Sequence, residues 1–223
     1  MYDLEGKVLF VHIPKTAGSS ISDALFGRKG FHRTVDQYRE ILSLEDGTLV
    51  TDLYSFSFVR NPWDRMVSYY MMCRDYKDCS IPIGRVHRFI ERQFNEYSFP
   101  SFLAYVQLAH FRSIPEDIDN SARMDLKNSD TVIASLSQEV FPQTYWLSLD
   151  GTVAVDFVGK WENLEDDFNN LCSRIGFKSP CSLGRKMPCI NGRGPYSEYY
   201  DAYHRDLVGV LFKSDIEEFG YDY

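Results

Sequence analysis

The stretch VLFVHIPKTAGSS, Val8 to Ser20, decides the fold. Its first four residues are an apolar run of the length of a short buried strand. His12-Ile13-Pro14 ends that run, and Lys15-Thr16-Ala17-Gly18 makes a tight turn of small residues around one lysine. Ser19 and Ser20 then open a helical pattern that puts Ile21, Ala24 and Leu25 on one face. A strand that passes through a small-residue turn into a helix start offers bare backbone N–H groups and the positive end of a helix dipole to an anion. Lys15 adds a full positive charge. The stretch predicts an α/β fold with a phosphate- or sulfate-binding cradle; the plain alternative is an ordinary strand-to-helix turn with a surface lysine.

The order of residues narrows the chemistry. The ATP- and GTP-binding loop reads GxxxxGK[ST], with lysine after its glycines. Here Lys15 precedes Gly18, and no upstream glycine stands at the matching spacing. PKTAGSS resembles instead the 5′-phosphosulfate loop of sulfotransferases that use 3′-phosphoadenosine 5′-phosphosulfate (PAPS). The resemblance implies that Lys15, Thr16, Ala17, Gly18, Ser19 and Ser20 bind the cofactor.

A second organising stretch runs from Tyr54 to Arg74, YSFSFVRNPWDRMVSYYMMCR. Tyr54, Phe56, Phe58 and Val59 suit a strand. Asn61 suits a helix N-cap and Pro62 the first helical position. Trp63, Met66, Val67, Tyr70 and Met71 follow helical spacing and predict one apolar face, with Asp64, Arg65 and Ser68 on the other side. Arg60 then stands at a strand's carboxyl end, where ligands bind in open α/β sheets. Ser68 lies about 10 Å along the helix, too far in to cap it. The stretch resembles the 3′-phosphate motif of the same enzymes, RNPxxRxxSxY, with Arg60, Asn61, Pro62, Arg65, Ser68 and Tyr70 in place. By that resemblance Arg60 and Ser68 hold the 3′-phosphate, and Arg65 is a structural partner.

The rest of the chain fills in the domain. Gly27 reads as a helix stop. Val35 to Leu44 reads as a short helix with Tyr38, Ile41 and Leu42 inward, and Asp46-Gly47 as a turn. Ile83 to Tyr97 and Phe99 to Phe111 read as further helices, the second a core helix through Phe102, Leu103 and Val106. Residues 112–130 are polar and interrupted by proline, which predicts a mobile loop. Val153 to Gly159 reads as a third strand. It leads through Trp161-Glu162-Asn163 into a helix with Leu164, Phe168, Leu171 and Ile175 inward, stopped by Gly176. Glu162 is either a base or a helix-start carboxylate. This turn and the Phe219-Gly220-Tyr221 ending resemble the family 2 sulfotransferases, the group like carbohydrate and heparan-sulfate 2-O-sulfotransferases. Tyr199 to Tyr223 reads as one amphipathic helix with Leu207, Val208, Leu211, Phe212 and Ile216 inward. Arg193 sits between two glycines in a loop; by the resemblance it closes on PAPS, and otherwise it is a surface arginine.

Composition bounds these readings. With 223 residues, 44% hydrophobic, the chain suits one sulfotransferase domain over 1–223, with a variable acceptor-binding or lid region at about 75–142. The implied architecture is a P-loop-NTPase-like parallel sheet flanked by helices. A net charge of −8 argues against a nucleic-acid partner. No stretch has the length of a membrane span, and Met1 to Phe10 lacks the features of a signal peptide, which predicts a cytoplasmic chain or a luminal domain trimmed of its anchor. Five cysteines at irregular spacing read as mostly free thiols, with a Cys181–Cys189 pair as the open alternative.

The implied reaction is sulfuryl transfer from PAPS to a hydroxyl, or less readily an amine, of a small-molecule or glycan acceptor, releasing 3′,5′-ADP. Lys15 would neutralise the leaving phosphate. A sulfuryl group carries less charge than a phosphoryl group, and Arg60 replaces the aspartate that a magnesium site would want, so no metal is expected. The acceptor needs a base. His32, just after the first helix, is the preferred candidate and His12 the alternative. His87 and His110 fall in the variable region, and His204 on the last helix reads as structural. A nucleotide kinase and a non-catalytic nucleotide-binding protein are the competing functions.

Overall fold

The computed structural model describes residues 2–3, 7–28, 30–45, 47–78, 82–112, 140–177, 183 and 193–223. Of the loop expected over 112–130, Arg112 instead ends a helix, and residues 113–130, with Cys79, Cys181 and Cys189, lie outside the described residues. Backbone contacts divide the chain into two compact units. The first comprises Met1–Asn61, Pro142–Asn191 and Glu218–Asp222; the second comprises Pro62–Phe141, Gly192–Glu217 and Tyr223.

The first unit is a mixed α/β layer structure around a four-stranded sheet. Its strands are β1 (Tyr2–Asp3), β2 (Val8–Phe10), β3 (Tyr54–Val59) and β6 (Phe157–Lys160), in that order across the sheet. β2, β3 and β6 are parallel, and β1 pairs antiparallel at the edge. Successive residues of a strand point to opposite faces, and the core divides accordingly. Leu9 and Val11 join Val35, Tyr38, Leu42, Trp146 and Leu147 on one face. Val8, Phe10, Phe56 and Phe58 join Ile21, Phe168 and Leu171 on the other. Helices α1 (Gly18–Phe26) and α7 (Leu164–Arg174) thus cover one face, and α2 (Val35–Glu45) and the short α6 (Gln143–Leu147) the other. Gly27, at φ 62°, ends α1 as its spacing predicted.

The third strand is shorter than its sequence pattern. Val153 belongs to a hairpin, β4 (Ser148–Leu149) with β5 (Thr152–Val153), closed by Asp150 and Gly151 at φ 50° and 82°. β6 begins only at Phe157. Between them the Asp156 carboxylate accepts hydrogen bonds from the Ser55 N–H (2.7 Å) and hydroxyl (2.8 Å), so a side chain anchors the chain to β3 there. The strand β1 has no counterpart in the sequence reading.

The second unit is helical among its described residues. It holds α3 (Pro62–Asp75), α4 (Pro82–Phe94), α5 (Phe99–Arg112), α8 (Ala202–Leu211) and the start of α9 (Lys213–Phe219), with a 3-10 turn at Tyr196–Tyr199. The predicted two-sided α3 is a correction: Asp64, Arg65 and Ser68 are buried as fully as Trp63, Met66 and Val67. Aromatic rings surround it. Tyr70 stacks on Tyr97 and meets Phe99, Phe102 and Tyr199 edge-on, while the Trp63 indole donates to the Arg205 carbonyl. The single tail helix is also corrected. Phe212 leaves helical geometry (φ −112°, ψ 26°) and separates α8 from α9. Val208, Phe212 and Ile216 keep helical spacing across that break, so periodicity could not reveal it. Among the described residues, no helix is long and apolar enough to cross a membrane, and Cys73 and Cys172 are buried free thiols.

Candidate active site

Three parallel strands deliver the first unit's functional residues to one edge. β2 runs through Val11–Ile13 into the Lys15 turn, β3 runs into Arg60, and β6 runs into Trp161. The turn is strained. Lys15 (φ 71°) and Ala17 (φ 66°) are both left-handed, and Thr16 between them is not. For a residue with a Cβ this costs about 1–2 kcal/mol each. Alternating handedness turns successive N–H groups toward one concave side, the geometry that receives an anion.

Identifiable contacts hold the strained turn. The buried Thr16 hydroxyl donates to the Ile13 carbonyl (3.0 Å). The Ala17 carbonyl accepts from the N–H groups of Ser20 (3.0 Å) and Ile21 (3.2 Å). Arg60 Nη1 donates to the Lys15 carbonyl at 3.2 Å, so the two sequence motifs meet at this bond. The Thr16 hydroxyl and the Ser20 N–H are thus both hydrogen-bonded within the turn. The N-cap residue Ala17 has no side chain to cap α1, and the Gly18 and Ser19 amides stand in its first turn.

Arg60 is 3% exposed. Its guanidinium carbon lies 3.8 Å from the centroid of the Trp161 ring, a cation–π contact. Its backbone is held by Gln143, which accepts from the Arg60 N–H and donates to its carbonyl, both at 2.8 Å. Glu162, next to Trp161, accepts from the Asn61 N–H at 2.6 Å and from the Tyr221 hydroxyl at 3.2 Å. Its carboxylate thus ties the end of β6 to Asn61 and Tyr221.

The two histidines lie side by side, with ring centroids 4.2 Å apart. His12 is buried and stacks on Phe10. Burial first, and then His32, holds its pKa well below the usual histidine value, so its ring is neutral at neutral pH. His32 is exposed, and its Nδ1 lies 3.1 Å from the His12 carbonyl oxygen. A carbonyl only accepts, so Nδ1 carries the proton and the neutral ring presents Nε2 with its lone pair.

Gly18 is set by His12: a Cβ at this position would overlap the imidazole. Gly18→Ala is expected to destabilise the protein by about 2–3 kcal/mol. The double variant with His12→Ala should recover most of that cost in denaturant titrations. Additive losses would show that the two residues do not share this contact.

A family model described as the sulfotransferase family matches residues 1–222. The chain belongs to the sulfotransferase family. It is therefore an enzyme of sulfuryl transfer. No curated protein and no solved structure matches it.

The sulfotransferase's other predicted residues lie in the second unit and are described within it. Ser68 is 8% exposed on α3. Arg65 is fully buried and donates to the Phe141 carbonyl at 2.9 Å, a structural role. Arg193 is not a surface arginine; its largely buried side chain pairs with Asp64. His110 bonds the Val140 carbonyl at 2.8 Å, His87 stacks on Tyr97, and His204 sits at the start of α8, where Asp201 caps the helix. The sequence reading missed Gln143 and the part played by Trp161. Gln143 has no local signal, because its partner is the backbone of a residue 83 positions away.

Proposed function

We propose that this sulfotransferase uses PAPS, and transfers its sulfuryl group to a hydroxyl, less readily an amine, with a carbohydrate as the favoured acceptor. The observation that supports the reading is the bond from Arg60 to the Lys15 carbonyl, which brings the two sequence motifs together. A nucleotide phosphorylated at both 5′ and 3′ positions needs two linked anion sites. In this reading the Lys15 ammonium neutralises charge on the leaving phosphate oxygen as its bond to sulfur breaks, and the Gly18 and Ser19 amides add donors. The hydroxyls of Ser19 and Ser20 complete the cradle. Arg60 takes the 3′-phosphate. Ser68 and Arg193 are assigned to the nucleotide by motif position alone.

The acceptor oxygen attacks sulfur in line with the leaving oxygen and loses its proton to His32 Nε2. His32 is favoured over His12 because its ring is exposed and its tautomer leaves Nε2 ready to accept. Sulfuryl transfer of this kind needs no divalent metal, because the transferred group carries little charge.

Thermal melting tests the reading. Saturating 3′,5′-ADP should stabilise the protein by about 2.7 kcal/mol at one hundred times its Kd, whereas ATP with magnesium should leave the melting temperature unchanged. The reverse pattern would replace the sulfuryl donor by a nucleoside triphosphate and end the proposal.

A further inference from the structure

We propose that Gln143 is a positioning residue for the nucleotide's 3′-phosphate, acting by fixing the backbone of Arg60. The proposal rests on the assignment of that phosphate to Arg60. The ladder between β3 and β6 ends at the pair Val59 and Lys160, so Arg60 is the first residue beyond it. Its N–H and carbonyl are buried with the rest of the residue and require partners. Gln143 supplies both, at 2.8 Å each, as the peptide of another strand would. The amide orientation is fixed by its partners, since the Arg60 N–H only donates and its carbonyl only accepts. Gln143 is itself fully buried, and α6 is anchored by Trp146 and Leu147 in the core layer beneath it.

The consequence reaches the turn. The Arg60 guanidinium packs on the Trp161 ring at 3.8 Å and donates to the Lys15 carbonyl at 3.2 Å. Both contacts depend on where the Arg60 backbone enters, and Gln143 holds that backbone at its N–H and its carbonyl. Its loss would leave the guanidinium charge in place but misdirected. That predicts a specific defect in recognising the 3′-phosphate, with the rest of nucleotide binding less affected.

The experiment compares affinities for 3′,5′-ADP and for ADP, which lacks the 3′-phosphate, in the wild type, Arg60→Lys, Gln143→Met and Gln143→Glu. Methionine matches glutamine in length and removes both hydrogen bonds. Glutamate keeps the acceptor but sets a carboxylate against the Arg60 carbonyl. The wild type should prefer 3′,5′-ADP by roughly 100-fold, and each Gln143 variant should lose about tenfold of that preference. The ratio is insensitive to partial unfolding, because a reduced competent fraction weakens both apparent affinities by the same factor. A purely structural role would lower both affinities equally and leave the ratio untouched. If Arg60→Lys loses the preference and both Gln143 variants keep it, the positioning role is wrong and the assignment of Arg60 stands. If the wild type shows no preference, the assignment of Arg60 fails and the role of Gln143 fails with it.

Discussion

Lys15→Ala is expected to lower kcat by about 10³-fold while shifting the melting temperature by less than about 2 °C. The asymmetry follows from how the residue is built into the turn. Lys15 is held through its carbonyl, which accepts from Arg60, and through its left-handed backbone at φ 71°. Alanine keeps both features and removes the ammonium with its stem. In the proposed transition state the charge on the leaving oxygen then has no full positive partner from the turn. Lys15→Gly provides the control. It should be equally inactive but more stable than Lys15→Ala by up to about 1 kcal/mol, because glycine takes up a left-handed conformation without steric cost. Affinity for 3′,5′-ADP should fall far less than kcat in both variants, since the ammonium acts on charge that develops during transfer. Full turnover in Lys15→Ala would remove the residue from its role. An equal fall in product affinity and kcat would make it a ground-state binder instead.

The same turn marks the limit of what the sequence disclosed. Val8–Phe10 was legible as a strand because it is a continuous apolar run, and Tyr54–Val59 because aromatic and β-branched residues recur in it at Tyr54, Phe56, Phe58 and Val59. The small residues around Lys15 pointed to an anion cradle, and Gly27 and Gly176 to helix ends. What stayed hidden depends on partners far along the chain. The alternation of Val153, Val155 and Phe157 runs straight through Asp156, and only the bonds to Ser55, 101 residues away, show why the strand is broken there. Helix α3 carries a polar stripe in sequence, yet Arg65 is buried with the Phe141 carbonyl as partner and Asp64 with Arg193. The Thr16 hydroxyl donates to the Ile13 carbonyl, a contact that the sequence does not disclose. Residue types were thus readable, and their partners within the fold were not.

The division between scaffold and chemistry matters most for the two histidines. His32→Asn is expected to reduce sulfuryl transfer by about 10²–10⁴-fold. Asparagine is the informative replacement, because its amide N–H can still donate to the His12 carbonyl in the manner of Nδ1, while it offers no basic nitrogen in place of Nε2. Hydrolysis of PAPS by water, followed separately, should change much less, since water does not depend on the acceptor's placement beside the base. His12 is a poor competitor for the role. Its ring is buried between Phe10 and Gly18, and both burial and the adjacent His32 depress its pKa. In the proposed transfer a proton taken up by His32 would add to the repulsion that already disfavours a charge on His12. Transfer at the normal rate in His32→Asn would exclude this arrangement and return the base to His12. In that case His12→Phe, which preserves an aromatic ring against Phe10, would have to abolish transfer without loss of the fold.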